Sequence, residues 1–206
     1  ARAWYKEHAW VNTNTTIELF DDARDLGAHI CATRAKYAAT LNDRIDETIK
    51  CAEAINRLPL DREHKAKAVR THILPKALYG CEVATPNPAK LEKLGTEILK
   101  LINPSTGLRS RDLSYSACSY GHDVDPGSNI TLRRVMALRR ALAKDPNVRK
   151  DIRALIISYK INGTDLTKAN GPIAQLLKSI QGMGATMDEN FNILQEKEAN
   201  FNIDTM

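Results

Sequence analysis

The sequence predicts an α+β fold that is mainly α, and three observations predict it. In six segments apolar residues recur at spacings of three and four, the period of an amphipathic helix. Asn, Asp, Pro and Gly stand at the starts and ends of those segments, where helix caps and breaks belong. Only the opening stretch, residues 1–36, reads as strand and loop. A small strand pair is therefore expected first, then a three-helix bundle, then a second helical module.

In residues 1–36, Trp10 to Phe20 is rich in Thr and apolar residues around a turn-prone Asn-Thr-Asn. Leu26 to Ala32 is a short apolar run interrupted by Gly27, as in a strand that another backbone approaches closely.

Residues 37–104 hold the bundle. The first helix, 40–58, has Thr40 as its expected cap and Asp43 and Asp46 in its early turns; Leu41, Ile45, Ile49, Ala52 and Ile55 mark one face. Leu58 and Pro59 end it. Asp61 caps the next helix, whose stripe is Ala66, Val69 and Ile73, with Lys65, Lys67 and Arg70 largely off it. Pro75 lacks an N–H and clashes with the preceding turn, so a kink or break is expected near Leu74. Val69, Ile73, Leu74, Leu78 and Tyr79 are expected to be buried against Ile45, Ile49, Leu94 and Ile98. Asn87 and Pro88 open the third helix, faced by Leu91, Leu94, Ile98 and Leu101, and Asn103-Pro104 stops it. The short connections predict antiparallel packing.

Residues 105–129, with Gly107, Gly121, Pro126 and Gly127, read as an irregular linker. Residues 130–206 form the second module, with helices at about 130–144, 146–160 and 172–182. Its tail repeats Asn-Phe-Asn-Ile at 190–193 and 200–203, readable as a terminal hairpin or a frayed end.

The 206 residues carry 43% hydrophobic and 27% charged side chains, an ordinary globular composition rather than a disordered one. No apolar run approaches a membrane span, and no signal-peptide pattern opens the chain. The chain opens at Ala1 in what reads as mid-domain, so it is expected to be a piece of a longer protein. Cys31, Cys51, Cys81 and Cys118 have neither metal-ligand spacing nor the density of a disulfide scaffold, which points to free thiols in a reducing compartment. The five histidines are scattered, and no phosphate-binding glycine loop or nucleophile-elbow motif occurs.

Net charge is +5, and the sequence pI is about 9.0, which favours a nucleic-acid partner. Cations concentrate between Arg133 and Arg153, where Arg133, Arg140 and Lys144 project opposite Leu132, Val135, Leu138 and Leu142. Such a row neutralises successive phosphates without reading sequence; the plain alternative is a solvated helix face. Aromatics, at 5%, are few for stacking on single strands.

The most specific stretch is Leu58 to Glu82, LPLDREHKAKAVRTHILPKALYGCE. LPL, a basic amphipathic helix and ILPKALYGCE in that order resemble the thumb of non-LTR (LINE-type) reverse transcriptases. Roughly fifty residues upstream, Arg24 to Ile30, RDLGAHI, resembles the strand that begins their primer-grip region, with Leu26 and Gly27 at its heart. The resemblance covers about Asp21 to Asn103 and implies a palm-edge remnant in 1–36 and a thumb-like bundle in 37–104. It also implies that Lys65, Lys67, Arg70 and Lys76 track a template–primer duplex, joined by Arg133, Arg140 and Lys144. Phe20-Asp21-Asp22 is similar to the family's metal-binding turn. Only three residues separate it from Leu26, however, and no acidic strand precedes it, so a solvated acidic turn is expected and no catalytic residue is assigned.

The expected function is non-catalytic grip on RNA–DNA or DNA duplex within a reverse transcriptase-like RNA-directed DNA polymerase of a retrotransposon. No cofactor is expected in this piece, Mg²⁺ being needed by the intact polymerase. The expected partners are the duplex and the missing fingers and palm, with no membrane, and the expected setting is intracellular and nuclear. The alternatives are a helical protein–protein interaction module and a decayed retroelement sequence without activity.

Overall fold

The structure is a computed structural model. It describes residues 22–25, 28–31, 37–103, 110–118, 121–163, 165, 166, 169, 171–195 and 200–205, with backbone alone for 22–25, 28–31, 121, 122 and 205. Strands β1 (Asp22–Asp25) and β2 (Ala28–Cys31) pair antiparallel, Asp22 opposite Cys31 and Asp25 opposite Ala28. Asp22 thus belongs to a strand rather than to an acidic turn; Phe20 and Asp21 lie outside the described residues.

Helix α1 (Ala39–Asn56) runs along α4 (Pro88–Ile102). Between them the chain forms α2 (Arg62–Ala68), a π-helical turn (Val69–Ile73) and α3 (Leu74–Ala77). Asp61 caps α2 as expected, accepting from the His64 N–H at 2.8 Å, and Asn87 caps α4, accepting from the Ala89 N–H at 2.9 Å. Thr40 does not cap α1, which starts one residue earlier without a side-chain cap. Where a kink or break is expected near Leu74, the chain instead passes through a π turn and stays helical. A proline ring collides with the carbonyl four residues back, here Thr71, and leaves it without a donor. The wider π turn relieves this: the Leu74 N–H reaches back to the Val69 carbonyl and the helix passes through Pro75.

Leu41, Ile45, Ile49, Ala66, Val69, Ile73, Leu74, Leu78, Leu94 and Ile98 form the heart of the first core. Tyr79 does not join it. The residue is 50% exposed, with the Arg44 guanidinium 5.2 Å from its ring centroid. Residues 105–129 are less irregular than expected. Helix α5 (Arg111–Ala117) packs on α4, its Tyr115 hydroxyl donating to the Gly95 carbonyl at 2.8 Å, and α6 (Gly121–Val124) follows.

Helix α7 (Pro126–Lys144) begins earlier than its periodicity indicates, because Asp125 caps it by accepting from the Ser128 N–H at 2.7 Å. Helices α8 (Pro146–Ile161) and α9 (Pro172–Gly182) pack on α7. The tail is ordered as a three-stranded antiparallel sheet: β3 (Ala185–Met187), β4 (Asn192–Gln195) and β5 (Phe201–Asn202), with a 3₁₀ turn over Ile203–Thr205. The two Asn-Phe-Asn-Ile copies pair with each other, Asn192 opposite Asn202 and Ile193 opposite Phe201, and the Ile203 N–H donates to the Phe191 carbonyl. Phe191, Ile193 and Ile203 are buried in a second core with Val135, Leu138, Leu142, Ile156 and Leu176. Phe191 adopts φ 64°, rare for a bulky side chain; the Asp188 carboxylate, accepting from the Asn190 and Asn192 N–H groups, holds that turn.

Candidate nucleic-acid interface

The cations predicted to touch a duplex lie on three helices. On α2 and the π turn the aliphatic stripe faces the first core, which turns Lys67 and Arg70 outward. Lys67 is exposed and makes no ion pair among the described residues. Half-buried Lys65 instead donates to the Asn56 carbonyl at 3.1 Å, satisfying the end of α1. Arg70 lies 3.3 Å from the Asp123 carboxylate on α6. Lys76, on α3, pairs with Glu47 of α1 at 2.9 Å. The bond from Lys76 holds the Glu47 carboxyl below its ordinary range, and the same bond raises the Lys76 ammonium.

On α7 the outward face carries Arg133, Arg140 and Lys144. Arg133 lies 3.9 Å from Glu82; the Arg140 Nε donates to the Met136 carbonyl of its own helix at 3.1 Å. Lys144 is exposed and has no ion pair among the described residues. Leu132, expected on the buried stripe, is 52% exposed. The inward position is taken by Arg134, which spacing by four from Ile130, Leu138 and Leu142 places on that stripe.

On α8, Arg149 is absorbed in structure: its two terminal nitrogens meet the Asp204 carboxylate at 2.9 and 2.8 Å, and its guanidinium lies 5.4 Å from the Phe191 ring centroid. The Arg153 Nε donates to the Glu189 carbonyl, and Lys160 pairs with the Glu189 carboxylate at 2.7 Å. Lys150 remains exposed. The run from Arg133 to Arg153 is therefore divided between structural and exposed cations.

Leu26 and Gly27, the primer-grip-like pair, lie outside the described residues. No group of three or more His, Cys, Asp or Glu side chains among the described residues could hold a metal ion. No described helix is long and apolar enough to cross a membrane. A cleft of about 530 Å³ is lined by Arg111, Arg134, Asp112 and Asp125, two cations against two anions, so its walls favour neither sign of ligand.

Sequence reasoning missed two features. The Arg44–Tyr79 pair, with Arg44 Nη1 also donating to the Tyr79 carbonyl at 3.0 Å, couples residues 35 apart and left no local signal. Arg134 did leave one, the i, i+4 spacing just described. Comparison with protein-family models, with curated proteins and with solved structures finds no match to this chain.

Proposed function

We propose that this chain is a non-catalytic, thumb-like part of a retroelement-type reverse transcriptase that grips nucleic-acid duplex through its phosphates. The observation that carries the reading is the segment Leu58–Glu82. The order of its LPL, basic-helix and ILPKALYGCE parts resembles that family's thumb, and it folds as a helix with aliphatics inward and Lys67 and Arg70 outward.

The ion pairs on this surface do not oppose the reading. Arg70–Asp123 and Lys76–Glu47 are both substantially exposed, and solvent screening leaves such pairs little net strength. A phosphate can replace those carboxylates at little loss. Lys67, Arg140 and Lys144 meet no carboxylate among the described residues and are the first contacts to test.

The test is a fluorescence-anisotropy titration of RNA–DNA hybrid and of B-form DNA duplex across a salt series. Replacing Arg140 and Lys144 with Gln removes two phosphate contacts, so the log–log salt slope on B-form DNA should flatten by about 1.8. Affinity should fall alike for every duplex sequence, because contacts to phosphates carry no sequence information. Affinity that ignores both salt and the double substitution refutes the duplex reading.

One observation favours a second reading, the protein–protein interaction module. Leu132, Met183 and Phe201, all largely exposed, border an apolar recess of about 170 Å³ between α7, α9 and the sheet.

A further inference from the structure

Helix α7 belongs to both cores. Ile130 packs in the first, and Val135, Leu138 and Leu142 pack in the second. At the crossing the inward residue is not aliphatic. It is Arg134, only 7% exposed. A guanidinium at that depth is ordinarily matched by a carboxylate. Arg134 makes no ion pair among the described residues.

Its donors are satisfied by a different set of groups. Nε donates to the Cys81 carbonyl at 3.1 Å and Nη2 to the Ala84 carbonyl at 3.2 Å. Nη1 donates to the Gln175 carbonyl at 3.2 Å and to the Ser179 hydroxyl at 2.7 Å. The first two acceptors belong to the turn after α3, in the first half of the fold; the other two belong to α9, in the second half. They stand 53, 50, 41 and 45 residues from Arg134 in sequence. Gly80, at φ 85°, starts the turn, accepting at its carbonyl from the Val83 and Ala84 N–H groups. ALYGCE, the end of the most specific stretch of the sequence, therefore holds one acceptor for this arginine, Cys81, and Ala84 follows it by two residues.

We infer that Arg134 is a coupling latch: a buried planar fork that ties the turn Cys81–Ala84 to α9 across α7, so that the two cores open as one cooperative unit. The fork is the essential part, because three donor directions must be met at once and only a guanidinium provides them rigidly. The inference stands apart from duplex binding and holds whatever the partner is. Global stability is a poor readout, since losing the donors to four buried acceptors lowers it whether or not the halves are coupled. Coupling between the halves is the right one.

Cys81 supplies a native probe. Burial, with a smaller push from Glu82, raises its thiol to about 12, so it stays protonated and slow to alkylate while the latch is closed. Cys51 and Cys118 are only half-buried. The experiment compares the full 206-residue chain with its Arg134→Met, Arg134→Lys and Ser179→Ala variants. Iodoacetamide labelling is read site by site by mass spectrometry, and hydrogen exchange of α4 and α9 is followed through a urea series.

In the wild type, Cys81 should label slowest of the three, and α4 and α9 should lose protection together. In Arg134→Met, Cys81 labelling should rise about tenfold or more, the equivalent of losing one hydrogen bond to a charged group, with Cys51 and Cys118 unchanged. Helix α9 should then lose protection at lower urea than α4. Arg134→Lys should behave like Met, since it keeps the charge but loses the fork. Ser179→Ala, a mild change, should move Cys81 in the same direction and decides the matter if Arg134→Met does not fold. The latch is overturned if Ser179→Ala leaves Cys81 labelling unchanged, if the two halves of Arg134→Met still open together, or if Lys restores wild-type behaviour.

Discussion

Ile73 is the sharpest test of how the first half is built. It closes the π turn, is 0% exposed, and belongs to the core shared by α1, α3 and α4. Ile73→Ala removes three carbons, worth about 2.4 kcal/mol at about 0.8 kcal/mol per buried methylene. The void adds to this, because the π turn is pinned by Pro75 and cannot collapse freely. The sum is about 3–4 kcal/mol, inside the range of about 2–5 kcal/mol typical of such truncations. For a chain of this length each kcal/mol moves the melting temperature by about 2–4 °C, so a fall of about 6–16 °C is expected. Calorimetry or circular dichroism on Ile73→Ala reads it, beside Ile161→Ala as control. Ile161 is 78% exposed and its truncation should stay within about 0.5 kcal/mol. A melting temperature as little changed in Ile73→Ala as in Ile161→Ala refutes the packing of Ile73 in this core.

Two further outcomes test other parts of the fold. Gly80→Ala forces a side chain into left-handed φ and should destabilise by about 1–2 kcal/mol in chemical denaturation. Gly182→Ala, with nothing within 4 Å of the added carbon, should be neutral or mildly stabilising; equal effects at both sites would show that φ does not matter at Gly80. The C-terminal sheet should loosen in acid. The Arg149 bond holds the Asp204 carboxyl below its ordinary 3.8. Burial pushes Asp188 upward, but bonds from Asn192 and Asn190 outweigh it, so the net shift is also downward. A carboxyl lowered on folding contributes stability that is complete above its unfolded value and fades as pH falls from there through the folded value. Protection factors of the β3–β5 amides, with the pH dependence of intrinsic exchange divided out, should therefore fall as pH drops below about 4, and Asp204→Asn should flatten that dependence. A dependence unchanged in Asp204→Asn would remove this carboxylate from the account.

Much of the fold was legible because helix formation is local. Asp61, Asn87 and Asp145 cap through N–H groups two or three residues on, and the stripes of α1, α4 and α9 repeat within one turn. The site was less legible. Charge at Lys67, Arg140 and Lys144 shows in the sequence, but whether a cation is available depends on which carboxylates fold beside it. Arg70 meets Asp123 across 53 residues and Arg149 meets Asp204 across 55. Tyr79 read as core by its apolar neighbours; only the folded chain shows it half exposed, with Arg44 packed against its ring.

By itself, then, the sequence determined where the helices capped by Asp61, Asn87 and Asp145 start and which faces are apolar, since each depends on residues a few positions apart, and its composition made the chain basic. Tertiary structure alone decided that the two Asn-Phe-Asn-Ile copies pair and that the inward Arg134 finds carbonyls from both halves. Those outcomes depend on which distant backbone groups lie close enough to accept or donate a hydrogen bond. That is a matter of three-dimensional proximity, which no short-range pattern encodes.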